Sequence, residues 1–175
     1  VLFRSYDDMP TAAAAVPLLL PHKPIAIEGM DSRITDVVAA RRGADAVPAL
    51  PRGRGWLMVE LAGEQVNELQ AAAQALVSDA QALDHMIVTD KVQTATLWRI
   101  REDGAGLSAR NAKGQPAYAG WEDAAVPVPK LSDYLREFDL LLDEYGFTGV
   151  PYGHLGEGCL SSGVLVLAFS ISAMT

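Results

Sequence analysis

Apolar residues recur along this chain in two rhythms, one on every third or fourth position and one in short consecutive or alternating runs. The two succeed each other as far as about residue 153. The first helix expected is Thr11 to Leu20, Ala-rich, interrupted by Pro17 and stopped by Pro21. Pro24 to Glu28 then reads as a short strand, and Asp31 can cap a helix from Ser32 to Arg42 with Ile34, Val37 and Val38 on its apolar stripe. Arg41 and Arg42 suit the negative end of that helix, and Gly43 ends it. Residues 44 to 55 hold Pro48, Pro51, Gly53 and Gly55, which is loop chemistry.

A more regular pattern starts at Trp56. Trp56 to Leu61 is a strand, and Glu64 to Ala80 a helix with Val66, Leu69, Ala73, Leu76 and Val77 on one face. His85 to Thr89 is a second strand, after which Asp90 caps a helix running through Leu97, Trp98 and Arg101 to about Ala109. A strand follows around Ala117 to Val126. The helix from Lys130 to Tyr145 then turns Leu131, Tyr134, Leu135, Phe138, Leu141 and Leu142 inward, and a last strand begins over Val150 to Gly153. This alternation, with no Gly-rich phosphate loop, predicts an α+β sandwich whose helices pack on one face of a mostly antiparallel sheet. Periodicity alone leaves a parallel α/β sheet open.

At 175 residues, half of them apolar, the chain can bury one hydrophobic core, and its composition suggests neither disorder nor a fibrous architecture. Its formal net charge of −8 repels phosphate backbones, which argues against nucleic acid as a partner, while a single well-placed Arg can still attract a small anion. Cys159 is the one cysteine, so an internal disulfide is excluded; a packed thiol is expected there. No secretory leader is read, and a cytoplasmic location is expected, with a peripheral position on the inner membrane face as a variant. The apolar stretch from Val164 to Met174 is shorter than the roughly 20 residues of a spanning helix.

Three segments could carry chemistry. Tyr152-Gly153-His154-Leu155-Gly156-Glu157-Gly158-Cys159 places an imidazole and a carboxylate among three glycines that let the backbone turn sharply; a tight turn with a merely packed His is the plainer alternative. Leu97-Trp98-Arg99-Ile100-Arg101-Glu102 sets Arg101 one helical turn from Leu97, near the apolar face. A guanidinium held there can clamp a carboxylate with two parallel hydrogen bonds; a surface pair with Glu102 or Asp103 is the alternative. In Gly120 to Pro127, Trp121 and Asp123 share one side of a strand and Glu122 takes the other. His22 and His85 are read as structural.

In order and spacing these segments resemble the C-terminal domain of FAD-linked oxidases of the D-lactate dehydrogenase, glycolate oxidase and D-2-hydroxyglutarate dehydrogenase group, from about Glu28-Gly29-Met30-Asp31 to Cys159. The resemblance implies a ferredoxin-like cap lying over a flavin. It implies Arg101 as the residue that binds a substrate carboxylate and His154 as the first of two metal-ligand histidines. The second falls at Ser161, so a zinc or similar divalent site is doubtful here. Trp121, Asp123 and Glu157 are further site neighbours, with Trp121 where metal-dependent relatives carry a Lys. The wording of Trp121 to Pro127 is similar to a subgroup fused to an iron-sulfur segment, an implied partner domain or subunit.

The activity so implied is oxidation of a D-lactate-like or glycolate-like 2-hydroxy acid to the 2-oxo acid, with FAD bound mainly by a domain that precedes this one. Residues 1–160 form the partial cap. Residues 161–175 lose the pattern and read as a truncated or frame-shifted tail, so the isolated chain is expected to be inactive. The alternative is a non-catalytic α+β module that binds a small carboxylate or a partner domain.

Overall fold

The computed structural model describes residues 1–79, 81–107 and 117–166, with side chains for all of these except 103–107, 117–123 and 163–166. Seven strands form one sheet: β1 (Leu2–Tyr6), β2 (Ala26–Asp31), β3 (Gly55–Glu60), β4 (Asp84–Ile87), β5 (Ala117–Ala125), β6 (Phe147–His154) and β7 (Cys159–Val166). Their spatial order is β4-β1-β3-β2-β6-β7-β5, and every pair in it is antiparallel. Five helices accompany them: α1 (Met9–Leu19), α2 (Ser32–Arg42), α3 (Val66–Asp79), α4 (Lys91–Leu107) and α5 (Leu131–Glu144). The α+β class is as expected from the pattern.

Helices cover both faces of the sheet, where packing on one face was expected. Leu2 and Tyr6 of β1, Ile27 of β2 and Leu57 and Val59 of β3 pack with α1, Leu76 of α3 and Leu131 and Leu135 of α5. The intervening residues Phe3, Met30, Trp56 and Met58 pack instead with Ile34 and Val38 of α2 and Leu97 and Ile100 of α4. Successive side chains of a strand point to opposite faces, so central strands that are apolar at every position need cover on both sides. The run Trp56-Leu57-Met58-Val59, buried throughout, carries that signature.

Local chemistry sets the helix ends. Asp8 caps α1 by accepting from the Thr11 amide at 2.7 Å, and the helix runs through Pro17. Asp31 caps α2 through the Arg33 amide at 2.8 Å, and Gly43, at φ 91°, closes it. Strand β1 was not foreseen. All five of its residues are buried, Arg4 among them, fully excluded from solvent. The Arg4 guanidinium donates to the Tyr6 hydroxyl at 3.2 Å and to the carbonyls of Leu76 and Val77, in the last turn of α3. A cation there satisfies carbonyls the helix cannot bond itself and faces its negative end. Burial pushes the Tyr6 phenol above its usual value, against the lowering pull of Arg4.

Strand β7 runs from Cys159 to Val166 between β6 and β5, so the expected boundary at residue 160 falls inside a central strand.

Candidate functional site

Strands β2 and β6 lie side by side, and their register sets Glu28 opposite His154, Gly29 opposite Gly153 and Met30 opposite Tyr152. Residues that face each other across an antiparallel pair project from the same side of the sheet. Glu28 is only 3% exposed, yet it sits between apolar neighbours in β2, where an unpaired carboxylate would be costly. Two partners compensate it. Its Oε1 meets Nδ1 of His154, and its Oε2 accepts from Nε of Arg101 at 3.1 Å and lies 2.8 Å from Nη2.

Arg101 comes from α4, whose Leu97 and Ile100 are buried against the same face of the sheet. Its head reaches Glu28, and the side chain is 19% exposed. It pairs with Glu28; of the local alternatives, Glu102 and Asp103, the side chain of Asp103 falls outside the described ones. Among the described residues, one H of Nη2 and both of Nη1 are left for another acceptor.

His154 ends β6, and its side chain is 56% exposed. Two glycines shape the loop behind it. Gly153 has φ 150°, and a Cβ there would stand 2.5 Å from the Cys159 carbonyl; Gly158 has φ 75°. Between them Leu155 is fully buried and packs against Gly29, where a Cβ would come within 2.7 Å of Met9 Cε and 2.8 Å of Leu155 Cγ. Thus β2 anchors the loop twice, through Glu28 on one face and through the space left at Gly29 on the other.

A cavity of about 210 Å³ opens beside these residues, lined by Leu20, Pro24, Ile25 and Ile27 on one side and Glu28, His154 and Glu157 on the other. Arg101 does not line it. Glu157 is exposed at the end of the short turn Leu155–Glu157. Ser161 lies opposite Tyr152 in the β6–β7 pairing, on the side of the sheet that His154, two residues on in β6, also takes. Trp121 is in β5, opposite Ser162; its side chain and that of Asp123 fall outside the described ones. Cys159 corrects the expectation of a packed thiol: it is exposed, because β7 turns Leu160 inward immediately after the Gly158 turn. His22 pairs with Asp79 at 2.7 Å, and His85 is an exposed residue of edge strand β4.

Among the described residues no group of three or more His, Cys, Asp and Glu is placed to hold a metal ion. With Nδ1 of His154 engaged by Glu28, the cavity offers its Nε2 and the Glu157 carboxylate. Two donors fall short of the three or four of a zinc site, so this donor set does not fit a metal centre.

The family described as FAD linked oxidases, C-terminal domain, matches residues 1–169. The chain belongs to that family. The match continues past residue 160 through β7. Among curated proteins it is similar to D-2-hydroxyglutarate dehydrogenase of Pseudomonas putida, 30% identical over 155 residues that make up 81% of this chain and 15% of the relative. It is 27% identical over 171 residues to the Pantoea ananatis D-2-hydroxyglutarate dehydrogenase, covering 89% of this chain and 17% of that protein. D-lactate dehydrogenase of Archaeoglobus fulgidus shows 27% identity over 135 residues, 77% of this chain and 28% of the relative. The chain therefore spans a small part of the length of each.

Membership of an FAD-linked family implies FAD as its cofactor. The cavity at Glu28 and His154 is below the roughly 300–1,000 Å³ of pockets that enclose small ligands. These residues do not fit a flavin dinucleotide by themselves. Glu28 was missed as a site residue in the sequence, although a signal was present: a lone carboxylate inside the apolar run Ile25-Ala26-Ile27-Glu28-Gly29-Met30 has to find buried partners.

Proposed function

We propose that this chain is the substrate-side domain of a flavin-dependent oxidoreductase that oxidises a 2-hydroxy acid to the 2-oxo acid, with FAD held mainly by another domain of the same protein. Family membership supports the flavin, and the names of the relatives support the substrate class. The observation that carries the reading is the convergence of Arg101 and His154 on one buried carboxylate from separate elements. A 2-hydroxy acid presents a carboxylate and, on the next carbon, a hydroxyl whose proton must leave as the carbon is oxidised. Arg101 has donors free for the carboxylate, and the exposed ring of His154 is the candidate proton acceptor. FAD supplies the electron acceptor when bound.

The test is anaerobic mixing of the flavoprotein that contains residues 1–175 with D-2-hydroxyglutarate and with D-lactate, following the visible flavin absorbance. Bleaching by either supports the reading. An Arg101→Lys variant is expected to lose about a hundredfold in kcat/KM, because Lys cannot reproduce the planar fork. A flavin that stays oxidised with both acids overturns the proposal.

A further inference from the structure

We propose that Glu28 is the positioning residue of Arg101: it takes one edge of the guanidinium and so aims the other edge at the carboxylate of the substrate. The proposal rests on the reading of Arg101 given above and adds to it a residue that acts through another. Oε2 of Glu28 accepts from Nε of Arg101 at 3.1 Å and stands 2.8 Å from Nη2. The N–H of Nε and one N–H of Nη2 lie along the same edge of the planar group, and Glu28 occupies that edge. The edge left over carries one N–H of Nη1 and the second N–H of Nη2, side by side. That pair is the fork that holds a carboxylate through two parallel hydrogen bonds.

The guanidinium ends a long side chain with many rotatable bonds, whereas Glu28 stands on fixed backbone. Strand β2 is paired on both sides, with Glu28 opposite Met58 of β3 and opposite His154 of β6. Its other oxygen, Oε1, meets the His154 ring, which sets the plane of the carboxylate. The residue is almost fully buried, so water has little access to compete for Oε2. A carboxylate locked in this way by two strands is a fixed point against which a flexible cation can be set.

Charge alone argues against a carboxylate at this position. A negative group beside Arg101 weakens the pull of the guanidinium on an anionic substrate. Neutralisation and positioning therefore predict opposite outcomes when the charge is removed. If Glu28 only balances a buried cation, a neutral replacement strengthens substrate binding. If Glu28 aims the fork, the same replacement costs one or both of the parallel bonds, which join charged groups and are strong.

Two variants separate these outcomes. Glu28→Leu removes charge and acceptor together, and Glu28→Gln removes the charge but keeps a carbonyl oxygen for Arg101. In the ¹⁵N-labelled 175-residue chain the Nη signals of Arg101 are expected to be separate in the wild type, because the guanidinium cannot rotate, and to merge in Glu28→Leu. Circular dichroism checks the folding. In the flavoprotein that contains this chain, KM for whichever 2-hydroxy acid bleaches the flavin is expected to rise about tenfold or more in Glu28→Leu, less in Glu28→Gln, and kcat to change less than KM. A purely structural role would reduce the amount of active protein and leave KM in place.

Merged Nη signals in the wild type overturn the assignment, as does a KM that falls or stays within about twofold in both variants. If Glu28→Leu does not fold, the direction of KM in Glu28→Gln decides. A wild-type flavoprotein that oxidises no 2-hydroxy acid overturns the functional reading instead, and the Nη signals of the chain alone still show whether Glu28 holds Arg101.

Discussion

Arg101 of α4 and Glu28 of β2, distant in sequence, form an ion pair with Nη2 and Oε2 2.8 Å apart at an almost fully buried carboxylate. Removing one partner leaves the other charged and without compensation, which is costlier than the net worth of the pair. Glu28→Ala is therefore expected to lower the stability of the chain by about 3 kcal/mol. The double variant Glu28→Leu with Arg101→Met replaces both charges by apolar groups and should regain most of that loss. Urea unfolding of the three proteins checks this. A double variant no more stable than Glu28→Ala would show that the cost does not lie in an orphaned charge.

Gly153 is the backbone hinge of the same site. Its φ of 150° is disfavoured for any residue with a side chain, and a Cβ would meet the Cys159 carbonyl, which is backbone and cannot rotate away. Gly153→Ala is expected to cost about 3 kcal/mol through strain and displacement of the β6–β7 turn. The same displacement should release His154 from Glu28, so the His154 ring signals must move together with the loss of stability. A stable variant with unmoved signals would mean that the turn tolerates a side chain.

Arg4 illustrates a buried cation neutralised by a helix end. Its guanidinium serves the Leu76 and Val77 carbonyls and the Tyr6 hydroxyl. Arg4→Met keeps much of the volume and orphans these acceptors, for an expected loss of about 2 kcal/mol. Amide exchange in the last turn of α3 should accelerate with it. Unchanged exchange there would place the role of Arg4 in packing alone.

Arg4 also shows where sequence reading stops. The helices from Ser32 and from Lys130 were legible because their apolar stripes, and for the first its Asp31 cap, are local, and the strand at Trp56 because its run is uniformly apolar. Strand β1 was not, since an Arg and a Ser in five residues look exposed until the end of α3, over seventy residues on, supplies acceptors for Arg4 and the carbonyls of Arg52 and Asp84 accept from the Ser5 hydroxyl. The site divided in the same way. Arg101 and His154 stood out within recognisable segments, whereas Glu28 gains its meaning only from the β2–β6 register and from α4 packed above it. Strand β7 was lost because Ser161, Ser162 and Gly163 break the apolar run, and the pairing that holds them comes from β6 and β5.

Asp139 of α5 offers a test in pH. Burial raises its carboxyl above the usual 3.8, more than the Arg33 guanidinium 3.4 Å away lowers it, and the charges of Asp31 and Asp143 push the same way as burial. A carboxyl with a raised value in the folded state holds its proton longer there than in the unfolded chain. Between 3.8 and the folded value the native protein therefore binds more protons, and its stability falls as pH rises across that window. Asp139→Asn removes the titration and keeps a polar group facing Arg33. The variant's melting temperature minus that of the wild type should thus increase from pH 3.8 upward and level off once Asp139 is ionised in both states. A difference that shrinks over the same range would show that the attraction of Arg33 outweighs burial at this position.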